Sequence, residues 1–366
     1  MKFEYVDQPE QLQDAVATCA LAPVITVDTE FARFNTYYPM VGLIQLCDGE
    51  RCYLIDPLEL PDLDPLADLM NSPDTLKVFH SCSEDLEVFQ HAMGLIPSPI
   101  FDTQIAAAVL GVGFSMSYQR LVEHYLDIEL SKEETRSDWL QRPLTENQLK
   151  YAALDVVHLF EVYQKQIKDL NSADRLSWVT EECAGLGVDI PTMIDPNDGY
   201  KKAKGAARLN RRQLNVLKVL FAWREIIARE KNAPRNRIVD QKTLLAIAKL
   251  GLGSKNDFQD EASMTPRQVR KYGDVMVSMI QDARAQSEDE LPSQISKDKS
   301  PLNSQHLKRL RQVADEQAAL LGVSPELLAK RRDLEEMMRS EKLPERLLGW
   351  REEAIGKVLL REMESF

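Results

Sequence analysis

Cysteine is scarce in this chain of 366 residues, with Cys19, Cys47, Cys52, Cys82 and Cys183 making up the whole set. The number is odd and no CxxC pair occurs, which argues against a disulfide framework and a zinc site. No apolar run approaches the ~18 residues that span a bilayer. The opening MKFEYVDQPE turns acidic at once, so no secretory leader and no membrane partner are expected, and the expected location is cytoplasmic. No GxxxxGK[ST] occurs, and GLGSK at 251–255 lacks its spacing, which excludes a P-loop motor and its nucleotide cofactor.

Positive charge is also missing from one half of the chain. Residues 1–200 hold 12 Lys+Arg against 34 Asp+Glu, a net of −22, whereas 201–366 hold 33 against 24. Residues 201–237 carry 12 cations against Glu225 and Glu230. An acidic body joined to a basic segment points to a polyanion held by the segment; the alternative is a solvated basic helix face.

What is present divides into strands, then helices. PVITVDTEF (23–31), VGLIQLC (41–47) and RCYLID (51–56) alternate like strands, with Asp48-Gly49 as a hairpin turn. TLKVFH (75–80) suits a buried strand. Helical spacing follows at Ser83–Met93, Asp102–Leu110 and Thr145–Ile167. Strands followed by helices predict a mixed sheet flanked by helices. The stretch from 172 to 204, with its glycines and prolines, suits a linker, and 285–302 a second. Residues after 205 suit helices throughout. A faint echo pairs Trp223-Arg224 with Trp350-Arg351, and Asn232–Ala248 with Leu321–Met337, which would fit two small helical domains of one kind.

Carboxylates mark the chemistry. Asp28 and Glu30 end an apolar strand at i and i+2 and so share one face. Two unpaired carboxylates there repel each other and resist dehydration; a hard divalent cation would relieve both. The other possibility is a strand end in solvent. Asp85 falls in the first turn of a helix, where the dipole alone would favour it. Tyr151 and Asp155, at i and i+4, share a helix face that is otherwise rich in small and apolar residues.

Jointly, VDTEF (27–31), FHSCSEDL (79–86) and YAALDVVHL (151–159) resemble the three motifs of the DEDD exonuclease superfamily, in its tyrosine subclass. SDWLQRPLTENQLKYAALD (137–155) is similar to the ribonuclease D family in particular. LNVLKVLFAWRE and APRNRIVDQKTLLAIA resemble the helical HRDC domain. The resemblance implies an α/β RNase H-like mixed-sheet exonuclease domain over 1–204, an HRDC domain over 205–290 and a second HRDC-like domain over 291–366. It implies a 3′–5′ exoribonuclease that trims RNA 3′ ends, tRNA precursors among them, and releases nucleoside monophosphates. Two divalent ions, Mg²⁺, Mn²⁺ or another divalent cation, would be held by Asp28, Glu30, Asp85 and Asp155. Asp28, Glu30 and Asp155 would bind the first and Asp28 would bridge to the second. Tyr151 would orient the attacking water. A DNA exonuclease and a non-catalytic nucleic-acid scaffold are the rivals.

For RNA contacts the candidates are Thr29, Phe31, Lys201, Lys202, Lys204, Arg208, Arg211 and Arg212. Phe31 or Phe34 would stack on a base or pack in the core. Arg33, Arg136 and Arg142 would reach a phosphate or pair with acids. His80, His158 and Cys82 are expected to be structural. Because all five motif residues precede 200, a chain ending there is expected to cleave still.

Overall fold

In the computed structural model, residues 3–130, 134, 137–187, 190, 195–295 and 302–366 are described. Arg136 lies outside them. The chain forms two compact units, one of Met1–Ala32, Met40–Val188 and Ser300–Phe366, the other of Arg33–Pro39 and Asp189–Lys299.

Unit 1 is built on a six-stranded sheet in the order β1-β4-β3-β2-β5-β6. The strands are β1 (Phe3–Val6), β2 (Val24–Ala32), β3 (Met40–Cys47), β4 (Cys52–Ile55), β5 (Leu76–Phe79) and β6 (Ile100–Asp102). β3 is antiparallel to both neighbours, whereas β2–β5, β5–β6 and β1–β4 are parallel, so the sheet is mixed as expected. The edge strands β1 and β6, with four and three residues, escaped the sequence reading because alternation over so few residues carries no period. The helices around the sheet are α1 (Pro9–Cys19), α2 (Asp64–Asn71), α3 (Ser83–Met93), α4 (Thr103–Val109), α5 (Tyr118–Leu126), α6 (Glu146–Ser172) and α7 (Leu176–Ala184). Thr145 caps α6 in a reciprocal box with Gln148, as Thr-x-x-Gln ahead of an apolar run should. The supposed linker from 172 is corrected here: α6 runs to Ser172 and α7 lies within the stretch, burying Val179 and Cys183. Its short apolar face was hidden by the neighbouring Gly and Pro.

Unit 2 is helical: α8 (Arg211–Glu230), α9 (Arg235–Ile238), α10 (Gln241–Leu250), α11 (Lys255–Asp260) and α12 (Pro266–Ala285). Its core joins Leu214, Leu217, Leu244, Ile247, Phe258 and Met276. The loop 33–39 belongs to this unit. Tyr37 donates to Glu225, Arg235 binds Glu225 at 2.5 Å, and the backbone N–H groups of Tyr37 and Tyr38 donate to Asn232 at 3.0 and 2.9 Å.

The chain then returns to unit 1 with α13 (Ser304–Leu321), α14 (Pro325–Leu328), α15 (Arg331–Ser340) and α16 (Lys357–Met363). These helices do not close on themselves. Leu310, Val313, Leu328 and Ile355 share one core with Val78, Phe101, Val109 and Val179 of the sheet region. Arg175 donates to the carbonyls of Val109 (2.8 Å) and Leu321 (2.5 Å), bridging α4 and α13. Glu182 accepts from Arg351 and from the Trp350 indole at 2.8 Å, and Trp350 stacks on Trp178. A chain ended near 200 would expose this core, so the expectation that it still cleaves is withdrawn. Among the described residues no helix is long and apolar enough to cross a membrane.

Candidate metal centre

β2 carries Thr26, Asp28 and Glu30 on one face, toward α6. The Thr26 hydroxyl donates to the Val156 carbonyl at 2.7 Å, which seats the strand against the helix beside Asp155. The β2–β3 register breaks between Glu30 and Phe31, so regular pairing ends where the carboxylates do. One ligand atom each from Asp28, Glu30 and Asp155 lies within 4.8 Å of the others. The structure thus brings together three acids that are 127 residues apart in sequence at the extremes.

Asp85 enters from the first turn of α3 and is buried. It is not in the tight triad, but the hydroxyl of Thr29, which lines the same cavity as Asp28 and Glu30, donates to it at 2.5 Å. The turn that delivers α3 holds Ser81 at φ +57, a costly conformation for a residue with a side chain. Asp102 fixes it, accepting from the N–H groups of Ser81 (3.0 Å), Cys82 (2.9 Å) and Gln104 (2.8 Å). Sequence reasoning missed Asp102, which looked like one more acid at a helix start.

Tyr151 hydrogen-bonds to Asp155 across one helical turn. The segment before α6 supports it. Trp139 lies 6.1 Å from the Tyr151 ring, and Gly42 sits so close beneath that an added Cβ would be 2.4 Å from the Trp139 carbonyl oxygen. Arg142 donates to Gly42 O at 2.6 Å and binds Asp56 through two nitrogens at 2.5 and 2.6 Å. Of the two roles open to Arg142, pairing with an acid is therefore the one observed. Tyr118 is a second missed residue. It lines the cavity of about 220 Å³ with Asp28, Glu30, His80, Tyr151 and Asp155, and its hydroxyl donates to the Asp155 carbonyl. No motif surrounds it, so nothing in the sequence flagged it.

The electrostatics are those of an uncompensated anionic site. Burial, and then the Asp155 charge, push Asp28 well above the usual carboxylate range. Burial with Asp28, Asp155 and Asp85 does the same to Glu30, and burial with Asp28 to Asp85. Burial raises Asp155 to about 7, against the opposing Tyr151 hydrogen bond. Clustered oxygen donors that resist ionisation together are suited to a divalent cation, which neutralises them at once.

The remaining candidates fall elsewhere. His80 is engaged at both nitrogens, with Thr103 at 2.9 Å and Met116 O at 3.1 Å, as a structural histidine would be. Cys82 is buried, like the other four cysteines, and burial raises its thiol out of the reactive range. Phe31 is half-buried in unit 1, and Phe34, in unit 2, is 90% exposed. Lys201, Lys202, Lys204, Arg208, Arg211 and Arg212 belong to unit 2, apart from the carboxylate-bearing unit. Lys201 pairs with Asp198 at 2.5 Å, and Arg211 donates to the Glu288 and Leu291 carbonyls at 2.7 and 3.0 Å. Arg212 pairs with Glu288, so part of the basic run is spent closing the unit.

Known proteins resemble this chain. A 3′–5′ exonuclease family model matches residues 3–171, and the HRDC domain model matches 213–280. Ribonuclease D of Pseudomonas paraeruginosa is 43% identical over 349 residues, 94% of this chain and 93% of that protein. This chain belongs to the ribonuclease D family. The ribonuclease D of Escherichia coli is 32% identical over the whole of both chains. Its crystal structure, described as that of an exoribonuclease involved in structured RNA processing, superposes with a TM-score of 0.93 over 100% of each chain. The catalytic core of RRP6 from Trypanosoma brucei is 28% identical, with a TM-score of 0.60 over 77% of this chain and 79% of that one. As a ribonuclease D family member the chain is a 3′–5′ exoribonuclease that binds RNA. Exonucleases of this type need divalent metal ions, and Asp28, Glu30 and Asp155 are placed to hold one.

Proposed function

We propose that this protein trims RNA 3′ ends in the cytoplasm, tRNA precursors among its substrates, by two-metal hydrolysis centred on Asp28, Glu30, Asp85, Tyr151 and Asp155. The supporting observation is the convergence of Asp28, Glu30 and Asp155 within 4.8 Å, with Tyr151 bonded to Asp155. Asp28, Glu30 and Asp155 would hold one cation, and Asp85, buried close by, would help to hold a second. Mg²⁺ or Mn²⁺ suits an all-oxygen donor set. When bound, a pair of such ions supplies Lewis acidity at both the attacking and the leaving oxygen. The chain does the positioning. Tyr151 holds the attacking water through its phenol oxygen, and Trp139 limits the ring's freedom. Water attacks phosphorus, the bond to the 3′ oxygen breaks, and a nucleoside monophosphate leaves a shortened RNA with a 3′ hydroxyl. We assign 1–204 to the exonuclease domain and 205–290 to an HRDC domain, and read 291–366 as a second HRDC-like set of helices that packs onto the exonuclease domain instead of closing a core of its own.

Labelled RNA and the matching DNA, incubated with Mg²⁺, Mn²⁺ or EDTA, test this. RNA shortening that needs the metal, and a large fall in turnover in Tyr151→Phe at unchanged RNA affinity, are expected. Full activity in EDTA overturns the two-metal scheme.

A further inference from the structure

Unit 1 holds 23 Lys+Arg against 43 Asp+Glu, so most of it repels a polyanion. One place in it does not follow that balance. Between α13 and the α14–α15 turn lies a cleft of about 760 Å³ with Lys308, Arg311, Lys330 and Arg331 in its walls. Two acids, Asp315 and Glu326, also line it. Lys308 and Arg311 stand at i and i+3 on α13 and share a face. Lys330 and Arg331 come from the opposite wall.

Stability does not explain these cations. Lys308, Arg311 and Lys330 make no ion pair among the described residues, although acids are as numerous as bases over 302–366, with 12 of each. Arg309, one residue from Lys308, is by contrast paired with Glu362 at 2.6 Å. Arg331 pairs with Glu335 on the surface at 2.8 Å, with 71% of its side chain exposed, a contact of little energetic worth. Lys330 and Arg331 also stand at the start of α15, where the helix dipole disfavours positive charge. Cations left unpaired, in a concave setting and at a local cost, are arranged for a ligand that brings negative charge.

We propose that this cleft grips the phosphate backbone of the RNA substrate, as a second hold carried by the catalytic unit itself. This rests on the exoribonuclease reading, which makes RNA the polyanion at hand. The cleft and the three-carboxylate centre belong to one compact unit, so RNA held here stays in a fixed relation to the site of cleavage. Phosphate contacts of this kind position the strand and carry no base preference.

The test uses full-length protein in EDTA, with a 5′-fluorescein-labelled single-stranded RNA of 20 nucleotides and anisotropy read between 50 and 200 mM salt. Each lost phosphate contact flattens the salt slope by roughly 0.7. Lys308→Gln with Arg311→Gln should therefore flatten it by about 1.4, which makes affinity roughly sevenfold less salt-sensitive over that range. Lys330→Gln with Arg331→Gln should do the same. Metal-dependent cleavage of a dinucleotide should match wild type, which shows the fold and the metal centre intact. Arg309→Gln with Arg361→Gln removes the same charge outside the cleft and should leave the slope alone. A slope unchanged in both cleft variants, or an equal fall in the Arg309/Arg361 control, overturns the proposal and assigns the cleft to another anion or to none. Absence of RNA binding by wild type would instead overturn the exoribonuclease reading.

Discussion

Helices α8–α9–α10 and α13–α14–α15 follow one plan and meet opposite fates. Their lengths are 20, 4 and 10 residues in the first and 18, 4 and 10 in the second. In each, an arginine reaches a carbonyl at the one-turn helix: Arg224 to Val239 O at 3.3 Å, Arg351 to Leu327 O at 2.9 Å. The first set closes its own core within unit 2. The second pours its apolar face into the core beneath the exonuclease sheet. The local pattern fixes the helices; whether they make an independent body depends on what covers their apolar face.

Removing 300–366 should break the comparison most visibly. Leu310, Leu328, Leu347, Ile355 and Leu359 are all buried to within 0% exposure, and deleting one such side chain typically costs ~2–5 kcal/mol. The total exceeds the roughly 5–15 kcal/mol by which a domain is stable. Circular dichroism melts should show unit 1 lost and dinucleotide cleavage gone. A cooperative melt near the full-length Tm would mean that the sheet region stands alone.

Gly111→Val probes one seam between the two parts of unit 1. Gly111 has φ +76, and a Cβ there would be 1.9 Å from Gly322 O, whereas one at Gly94, φ +71, meets nothing within 4 Å. Both substitutions pay backbone strain of about 1–3 kcal/mol, and the clash adds to it only at Gly111. Gly111→Val should lower Tm well beyond Gly94→Val; equal losses would show the seam to be loose.

Leu328→Ala and Leu244→Ala sharpen the contrast further. Each is completely buried and should cost about 3–5 kcal/mol. Thermal inactivation of dinucleotide cleavage should accelerate in Leu328→Ala and stay near wild type in Leu244→Ala, because the two side chains lie in different cores. Equal acceleration would join the two units into one cooperative block.

Glu182→Gln and Glu225→Gln give the smallest effect, about 2 kcal/mol each at neutral pH, as expected for a lost charge-assisted bond. Burial opposes the Glu182 charge, but Arg351 and the Trp350 N–H outweigh it and hold the pKa below the usual value. Burial likewise opposes Glu225, and Arg235, Tyr37 and Arg229 outweigh it. Carboxylates held low stabilise the fold above the unfolded value of about 4.3 and lose that contribution as pH falls through the folded value. The gap between wild type and either variant, measured by urea melts, should be full at pH 7 and shrink below about pH 4. A gap that persists at pH 3 would mean packing, not charge, is at work.

Much of the sheet and of the carboxylate cluster was legible beforehand. β2 to β5 alternate over enough residues to declare themselves, and Asp28, Glu30 and Tyr151 with Asp155 follow from strand and helix periods. Asp85 could not be told from Glu84 or Glu87 by local rules, and it needed the motif order. The Trp-Arg echo was sound in chemistry and wrong in place: Trp223-Arg224 lies in the first long helix of its set, Trp350-Arg351 beyond α15. Nor did any local feature announce that 33–39 belongs with unit 2, since Tyr37 finds Glu225 only through tertiary contact.

The core that Leu310 and Ile355 complete has a consequence in time. At ~5–20 residues per second, the ribosome needs on the order of 10–35 s to pass from residue 188 to 366. Throughout that interval unit 2 can fold on the nascent chain, while the sheet that holds the carboxylates still lacks the apolar cover that Leu310, Leu328 and Ile355 bring.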